Sequence, residues 1–353
     1  MSSVLIAMSG GVDSSVAAFL MKQKGYACAG GTMLLCNDLL SGEQSVNGAQ
    51  DAAAVAKTLG LDFHLLNESA NFRRFVVEPF IRCYEEGGTP NPCVNCNRHL
   101  KFDIFLEKAI ALGYDCIATG HYAQIRKDEE TGRYLLYRAG DPAKDQTYFL
   151  ACLNQYQLSH TCFPLGELKK EQVRQIAEDQ GFVTAIKRDS QDICFIPDGD
   201  YKAFMVRYTG KQYPCGDYLD LNGKVVGRHQ SAVGYTIGQR KGLGIAMGEP
   251  VYVCAKDMAK NTVTVGPDNA LFRTSLLANN WNWIPFSSLE KPIRVNAKVR
   301  YRHKEQPATV YPEENGICRV VFDEPQRAIT AGQAVVLYQG DLVVGSGTIT
   351  EVL

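Results

Sequence analysis

Val4-Leu5-Ile6-Ala7-Met8-Ser9-Gly10-Gly11-Val12-Asp13-Ser14-Ser15 decides how this chain is read. A short apolar run stops at a Ser-Gly-Gly turn. Helical spacing then begins at once, through Val16, Ala17, Phe19 and Leu20 to about Gly25. Glycines let the backbone turn tightly and bring N–H groups near a phosphate. Serine hydroxyls add donors, and the N-terminus of the following helix favours an anion. The Gly-Lys-Ser/Thr ending of a Walker A loop is missing. Asp13 is placed either to hold magnesium on the phosphates or to cap the helix. An ordinary glycine turn with an Asp/Ser cap explains parts of the string. The whole of Ser9–Ser15, set between strand and helix, favours a phosphate loop.

Outward from this loop, strands and helices alternate. Gly30–Leu35 and Leu61–Leu66 read as strands and Ala49–Leu59 as an alanine-rich helix. Phe75, Val76, Phe80, Ile81 and Tyr84 recur at helical spacing, as do Phe102, Phe105, Leu106 and Ile110. Tyr114–Thr119 is a further strand, ending in Gly120-His121. Such alternation predicts a parallel sheet wrapped by helices. After about Phe204 short β-rich runs take over, among them Val251–Val253, Thr262–Val265, Arg294–Tyr301, Arg319–Phe322, Ala334–Tyr338 and Leu342–Thr348, as in a small barrel or sandwich. Gly238–Gly248 is a glycine-rich basic loop, and a boundary is expected near Asn280. The expected domains are 1–205, 206–280 and 281–353.

The 353 residues suit two or three domains, and 45% hydrophobic against 21% charged residues is a globular balance that excludes a disordered or collagen-like chain. Lys and Arg total 37 against 38 Asp and Glu, so RNA binding would need a local basic patch. No apolar run reaches the roughly 20 residues of a membrane span. The N-terminal residues lack the features of a signal peptide, so a cytoplasmic protein without membrane partners is expected. The 12 cysteines are scattered, and reduced core thiols should account for most.

Ser9-Gly10-Gly11-Val12-Asp13-Ser14 resembles the loop of the PP-loop ATP pyrophosphatases, which cleave ATP between its α- and β-phosphates and adenylate a substrate. Further strings narrow the likeness to the tRNA-specific 2-thiouridylases. They include Thr89-Pro90-Asn91-Pro92, Cys96-Asn97, Lys101-Phe102, Thr119–Ala123 and Lys144–Leu150. Ile193–Ile196, Gly238–Ile245, Val299–Arg302 and Ala331–Val335 continue the match in order along the chain. The resemblance implies an α/β, adenine nucleotide α-hydrolase-like PP-loop domain, a small central tRNA-contacting domain and a C-terminal β-barrel. It implies ATP-dependent 2-thiolation of the wobble uridine in the tRNA anticodon loop, with Mg2+ on the nucleotide. The sulfur donor would be a cysteine desulfurase or a sulfur-relay protein. ATP contacts would fall on Ala7, Met8, Ser9, Gly10, Gly11, Val12, Asp13, Ser14, Met33 and Gly120. Target-base and tRNA contacts would fall on Asn91, Pro92, Cys93, His121, Lys144, Asp145, Gln146, Arg300, Tyr301 and Gln333. Cys96 and Cys194 would be catalytic, with Cys194 carrying a persulfide that Cys96 attacks, leaving a Cys96–Cys194 disulfide.

Two positions depart from the family pattern: Cys93 stands where many members have Asp, and Asp192 where glycine is common. Cys93 and Cys96 therefore form a C-x-x-C pair with three readings. With Cys194 they supply three thiolates for a 4Fe-4S cluster with one open iron. They are alternatively a disulfide-cycling pair, or zinc ligands joined by His99. The other cysteines, Cys36 among them, are read as packing residues. Trp281 and Trp283 read as barrel core. Arg294, Lys298, Arg300, Arg302 and Lys304 gather as a basic stretch, in which Arg300 and Tyr301 would pair a phosphate clamp with a stacking face. A PP-loop ligase or amidotransferase acting on a small metabolite, and a non-catalytic RNA-binding protein, are the competing readings.

Overall fold

Val4, Leu5 and Ile6 are completely buried, which makes β1 (Ser3–Ala7) the central strand of the first sheet. The computed structural model describes residues 2–36, 43–185, 187 and 193–353, with the side chains of 43–47 left aside. In chain order the first domain contributes β1, β2 (Ala27–Leu34), β3 (Asp62–Asn67), β4 (Cys116–Thr119), β5 (Gln124–Lys127), β6 (Tyr134–Tyr137) and β7 (Thr161–Cys162). Five of these form an all-parallel sheet in the order β3-β2-β1-β4-β7. Helices α1 (Val12–Gln23) and α2 (Glu43–Thr58) cover one face, where Val16, Ala17, Met21, Val55 and Ala56 pack on Val4 and Ile6. On the other face Leu5 and Ile117 meet Phe102 and Phe105. Burial on both faces is why these strands are short and continuously apolar.

The helix Tyr201–Thr209 opens the central domain. Asp200 caps it by accepting from Ala203 N at 2.9 Å, and left-handed Gly210 ends it. The sheet that follows has the order β10-β11-β8-β9, from β8 (Gly216–Leu219), β9 (Val225–His229), β10 (Tyr252–Asp257) and β11 (Thr262–Gly266). Strands β12 (Phe272–Trp283), β13 (Ile293–Lys298), β14 (Gln306–Pro312), β15 (Cys318–Arg327), β16 (Ala334–Gln339) and β17 (Leu342–Val352) then form a six-stranded barrel, closed by pairing of β12 with β17. The β5–β6 hairpin leaves the first domain and joins this sheet where Tyr137 pairs with Leu342. The parallel sheet, the small central domain and the terminal barrel thus follow in the expected order.

The expected boundaries need correction. Position 205 lies inside the helix Tyr201–Thr209, and position 280 lies inside β12. A bulge lies between Asn279 and Asn282, where the register to β17 shifts and Asn280 adopts φ 51°. Asparagine tolerates that left-handed conformation, so a strand interruption imitates a turn signal. Trp281 and Trp283 stack on one another at 4.7 Å beside the barrel core. Among the described residues no helix is long and apolar enough to cross a membrane.

Candidate active site

The carboxyl ends of β1, β2 and β4 open into a cavity of about 800 Å³. Ala7, Met8, Ser9, Asp13, Ser14, Met33 and Gly120 line it; Gly10, Gly11 and Val12 belong to the turn but not to this lining. Gly10 adopts φ +71°, and a Cβ there would sit 2.2 Å from Gly48 O. A Cβ on Gly120 would meet the backbone of Asp13 and Ser14 at 2.7 Å, so only glycine lets β4 end against the start of α1. The first residue before α1 is Gly11, which supplies no side-chain cap. The opening N–H groups of that helix therefore have no capping side chain there and suit an anionic ligand.

The loop's side chains are used differently from expectation. Ser14 and Ser15 donate to Gly11 O at 3.1 and 2.9 Å and so fix the turn, although Ser14 also faces the cavity. Asp13 is neither a cap nor a preformed cation site. Lys170 Nζ lies 2.8 Å from both its oxygens, and Tyr122 Oη donates to it at 2.7 Å. Lys170, from the helix Lys170–Asp179, carries a charge beside a loop that lacks the Walker lysine. Lys187 Nζ donates to Gly10 O at 3.1 Å and pairs with Asp51.

At the opposite end the cavity is lined by Cys36, Lys101, His121, Gln146 and Cys194. Cys194 is exposed and its thiol is raised well above the ordinary value, first through a hydrogen bond with Cys36 and then by burial. Cys96 is buried and does not line the cavity; burial pushes its thiol up to about 12, while Lys101 pulls the other way. Cys93, exposed on the neighbouring turn, is raised by desolvation and again opposed by Lys101. Cys93, Cys96 and Cys194 thus share one electrostatic neighbourhood around a single lysine, and all are free thiols. Burial, with help from Lys101, holds His121 well below its usual pKa. Lys101 Nζ donates to Nε2 at 3.5 Å and Thr119 Oγ1 stands 2.8 Å from Nδ1, contacts that fit a neutral ring.

Among the described residues no three Cys, His, Asp or Glu side chains converge to hold an ion. Cys93 is exposed and Cys96 is buried, and each is influenced electrostatically by Cys194. His99 stacks on Phe75 at 5.0 Å instead of turning to the C-x-x-C pair. Asp192 lies outside the described residues.

Several expected tRNA contacts are engaged within the protein. Arg300 donates to Ile237 O at 3.1 Å and Thr330 Oγ1 at 2.6 Å, joining the central domain to the barrel. Tyr301 packs on Phe149 at 4.5 Å, with Lys298 over its ring. Asp145 is buried and accepts from Ala139 N and Thr147 Oγ1. Gln333 Nε2 donates to Thr89 O and Pro90 O at 2.9 and 3.0 Å, tethering the segment that leads to Asn91. Asn91 caps the turn containing buried Pro92 by accepting from Val94 N at 3.4 Å. Gln146 accepts from Tyr122 N at 2.9 Å and faces the cavity; Lys144 is half-buried. Arg240, Lys241, Arg302 and Lys304 are exposed and are the open basic side chains of this group. Cys36, Lys101 and Lys170 are the residues that sequence reasoning passed over; only the Lys101-Phe102 string signalled one of them.

Three family profiles cover the chain: tRNA methyl transferase HUP domain over residues 2–198, tRNA methyl transferase PRC-barrel domain over 202–267, and Aminomethyltransferase beta-barrel domain over 273–349. The tRNA-specific 2-thiouridylase MnmA of Clostridioides difficile is 47% identical, with 99% of this chain and 98% of the relative aligned. Its namesake in Clostridium botulinum is 45% identical over the same shares, and that of Acetivibrio thermocellus 46% identical over 98% of each chain.

Proposed function

The chain belongs to the tRNA-specific 2-thiouridylase family, and from that premise we propose that it replaces the 2-oxygen of the tRNA wobble uridine with sulfur, at the expense of ATP. One observation carries this reading: a single cavity joins the phosphate loop to a pair of thiols, Cys36 and Cys194. A uracil oxygen is a poor leaving group, and adenylation lets it depart as AMP. The N–H groups opening α1 hold the phosphates, while Lys170 brings positive charge beside them. Asp13 is the one carboxylate among the described lining residues and is paired with Lys170. A single hard ligand suits Mg2+ that arrives on the nucleotide, where it would offset charge on pyrophosphate. A base in a single-stranded anticodon loop leaves its stack cheaply to enter such a pocket. Arg240, Lys241, Arg302 and Lys304 are the side chains we assign to the RNA backbone.

Sulfur follows a persulfide route. Cys194 takes a sulfane sulfur from a cysteine desulfurase or relay protein, and a second thiol attacks Cys194 to expel sulfide. Family resemblance points to Cys96 as that thiol. Lys101 favours the thiolate forms that this chemistry needs. A ligase or amidotransferase has no use for the thiol end of the cavity, and methyl transfer, which two profile names mention, has no use for the phosphate loop. Incubation with ATP and tRNA should yield AMP and pyrophosphate, and neither product without tRNA. ADP as the main product overturns the assignment. Metal-free protein should thiolate tRNA when given a persulfide donor; about four irons, lost with activity in Cys93→Ser, would replace the persulfide route with a cluster.

A further inference from the structure

A second cavity, of about 360 Å³, is lined by Asp198, Asp200, Tyr201, Lys202, Ser231 and Tyr235, where the helix Tyr201–Thr209 meets the segment after β9. No described residue is shared with the nucleotide cavity. Ser231 is fully buried, and its hydroxyl has no hydrogen-bond partner. A buried unpaired hydroxyl is costly, and one on the wall of a polar cavity is explained by a ligand that pairs with it. The aromatic walls are fixed in advance. Tyr201 stacks on Tyr84 at 4.5 Å, and Tyr235 packs edge-on against Tyr218 and His229 at 5.6 and 5.7 Å. Asp198 accepts from Asp200 N at 3.1 Å and Asp200 from Ala203 N at 2.9 Å, each through one carboxylate oxygen, which leaves the other for a further donor. Lys202 Nζ donates to Gln230 Oε1 at 3.3 Å and has donors to spare. Two carboxylates against one ammonium disfavour a phosphate here, and Asp200 already occupies the helix N-terminus that an anion would use.

We propose that this cavity is a second base pocket, which takes an unpaired guanine of the bound tRNA through Asp198, Asp200, Lys202 and Ser231. This rests on the RNA substrate of the proposed function and deepens it. Guanine presents two adjacent donors, N1–H and the N2 amino group, beside the acceptor O6. The donors answer the two carboxylates, and O6 answers Ser231 and Lys202. Adenine offers the carboxylates an acceptor at N1, and uracil offers a single imino donor between two carbonyls, so both match the lining less well. The rest of the nucleotide has a place as well. Gln239 and Gly242 of the glycine-rich loop line the same cavity, and exposed Arg240 and Lys241 stand between them in the chain. A phosphate excluded from the acidic interior is thereby met by two cations beside it. The pocket reads a base while its neighbours hold the backbone.

The test has two arms on the full chain, with the nucleotide cavity filled by an ATP analogue that resists cleavage between its α- and β-phosphates. In the first, guanosine, inosine and adenosine are titrated and followed by NMR. Guanosine should bind, and inosine, which lacks the N2 amino group, should bind about fivefold more weakly for the hydrogen bond it loses. Ser231→Ala should weaken guanosine by about fivefold while the melting temperature stays level or rises, because the hydroxyl it removes has no partner within the protein. Asp200→Asn keeps the helix cap and should weaken guanosine as well. In the second arm the tRNA complex is irradiated with ultraviolet light, digested with nuclease and protease, and mapped by mass spectrometry. A guanosine adduct on the peptide of Tyr201 or Tyr235 is expected. If tRNA binds and is thiolated but these peptides carry no adduct, or one from another base, this proposal is overturned and the proposed function stands. Guanosine binding without a tRNA adduct would make the pocket a site for free guanine nucleotides, which also overturns it. If tRNA does not bind the protein, the proposed function falls and takes this proposal with it.

Discussion

The two ends of the cavity are built on different plans. The nucleotide end comes largely from one continuous segment, Ala7–Ser14, whose turn is locked by its own serines and by glycines that leave no room for a side chain. The sulfur end is assembled from three segments far apart in sequence, carrying Cys36, Lys101 and Cys194, with Cys93 and Cys96 next to it on the Lys101 segment. Its thiols are mostly held protonated, and a lysine opposes that tendency. One end is preorganised for a ligand that arrives charged. The other must change its bonding during the reaction. Activation and sulfur delivery should therefore be separable by mutation.

The largest effect should come from Cys194→Ser. Thiolation should fall on the order of a thousandfold or more, because no other group replaces the sulfur acceptor, while tRNA-dependent pyrophosphate release continues. Parallel assays of 2-thiouridine and pyrophosphate on the same samples check this. Loss of both activities together would show that the two ends do not act independently.

A second experiment sharpens the nucleotide end. Lys170 is 10% exposed and Asp13 32%, so their ion pair is lopsided. Removing the carboxylate leaves a buried ammonium without Asp13, whereas removing the lysine leaves a carboxylate that reaches water. Asp13→Asn should cost about 2 kcal/mol of stability and Lys170→Met about 1, below the range for fully buried pairs because Asp13 is partly solvated. Urea titrations measure both. The reverse order would mean that the carboxylate, not the lysine, is the strained partner.

The same contrast governs which parts of the site are legible in the amino-acid sequence. The phosphate loop is legible because its chemistry is contiguous: the glycines, Asp13 and the helix start sit side by side in the chain. Met33 and Gly120 join it through the family resemblance. Cys36 is not legible, because a thiol near a strand end looks like packing until Cys194 arrives from elsewhere. Arg300 misleads for a related reason. Beside Tyr301 it has the composition of an RNA clamp, yet Ile237 O and Thr330 Oγ1 occupy its guanidinium. Composition gives a residue's capability, and long-range neighbours decide its use. The misplaced boundary at Asn280 has a local cause, since asparagine at positive φ serves bulges as well as turns.

The smallest expected effect concerns His121, which stands between the two ends. Its folded pKa lies well below the ordinary value, through burial first and Lys101 second. The unfolded chain, titrating near 6.5, therefore binds the proton before the folded chain does as pH falls. The stability contributed by neutral His121 is complete above about pH 6.5 and declines below it until the folded pKa is reached. One such proton gives a slope of at most about 1.4 kcal/mol per pH unit. His99, His229 and His303 are lowered too, but they are present in both proteins of a comparison. His121→Gln should therefore lose less stability than the parent between pH 6.5 and 5, by about 1 kcal/mol because the ring keeps some solvent contact. Equal losses would mean that His121 accepts its proton in the folded state as easily as in water, and that Lys101 does not face it. The cavity would then lack the cation that links its thiols to its imidazole.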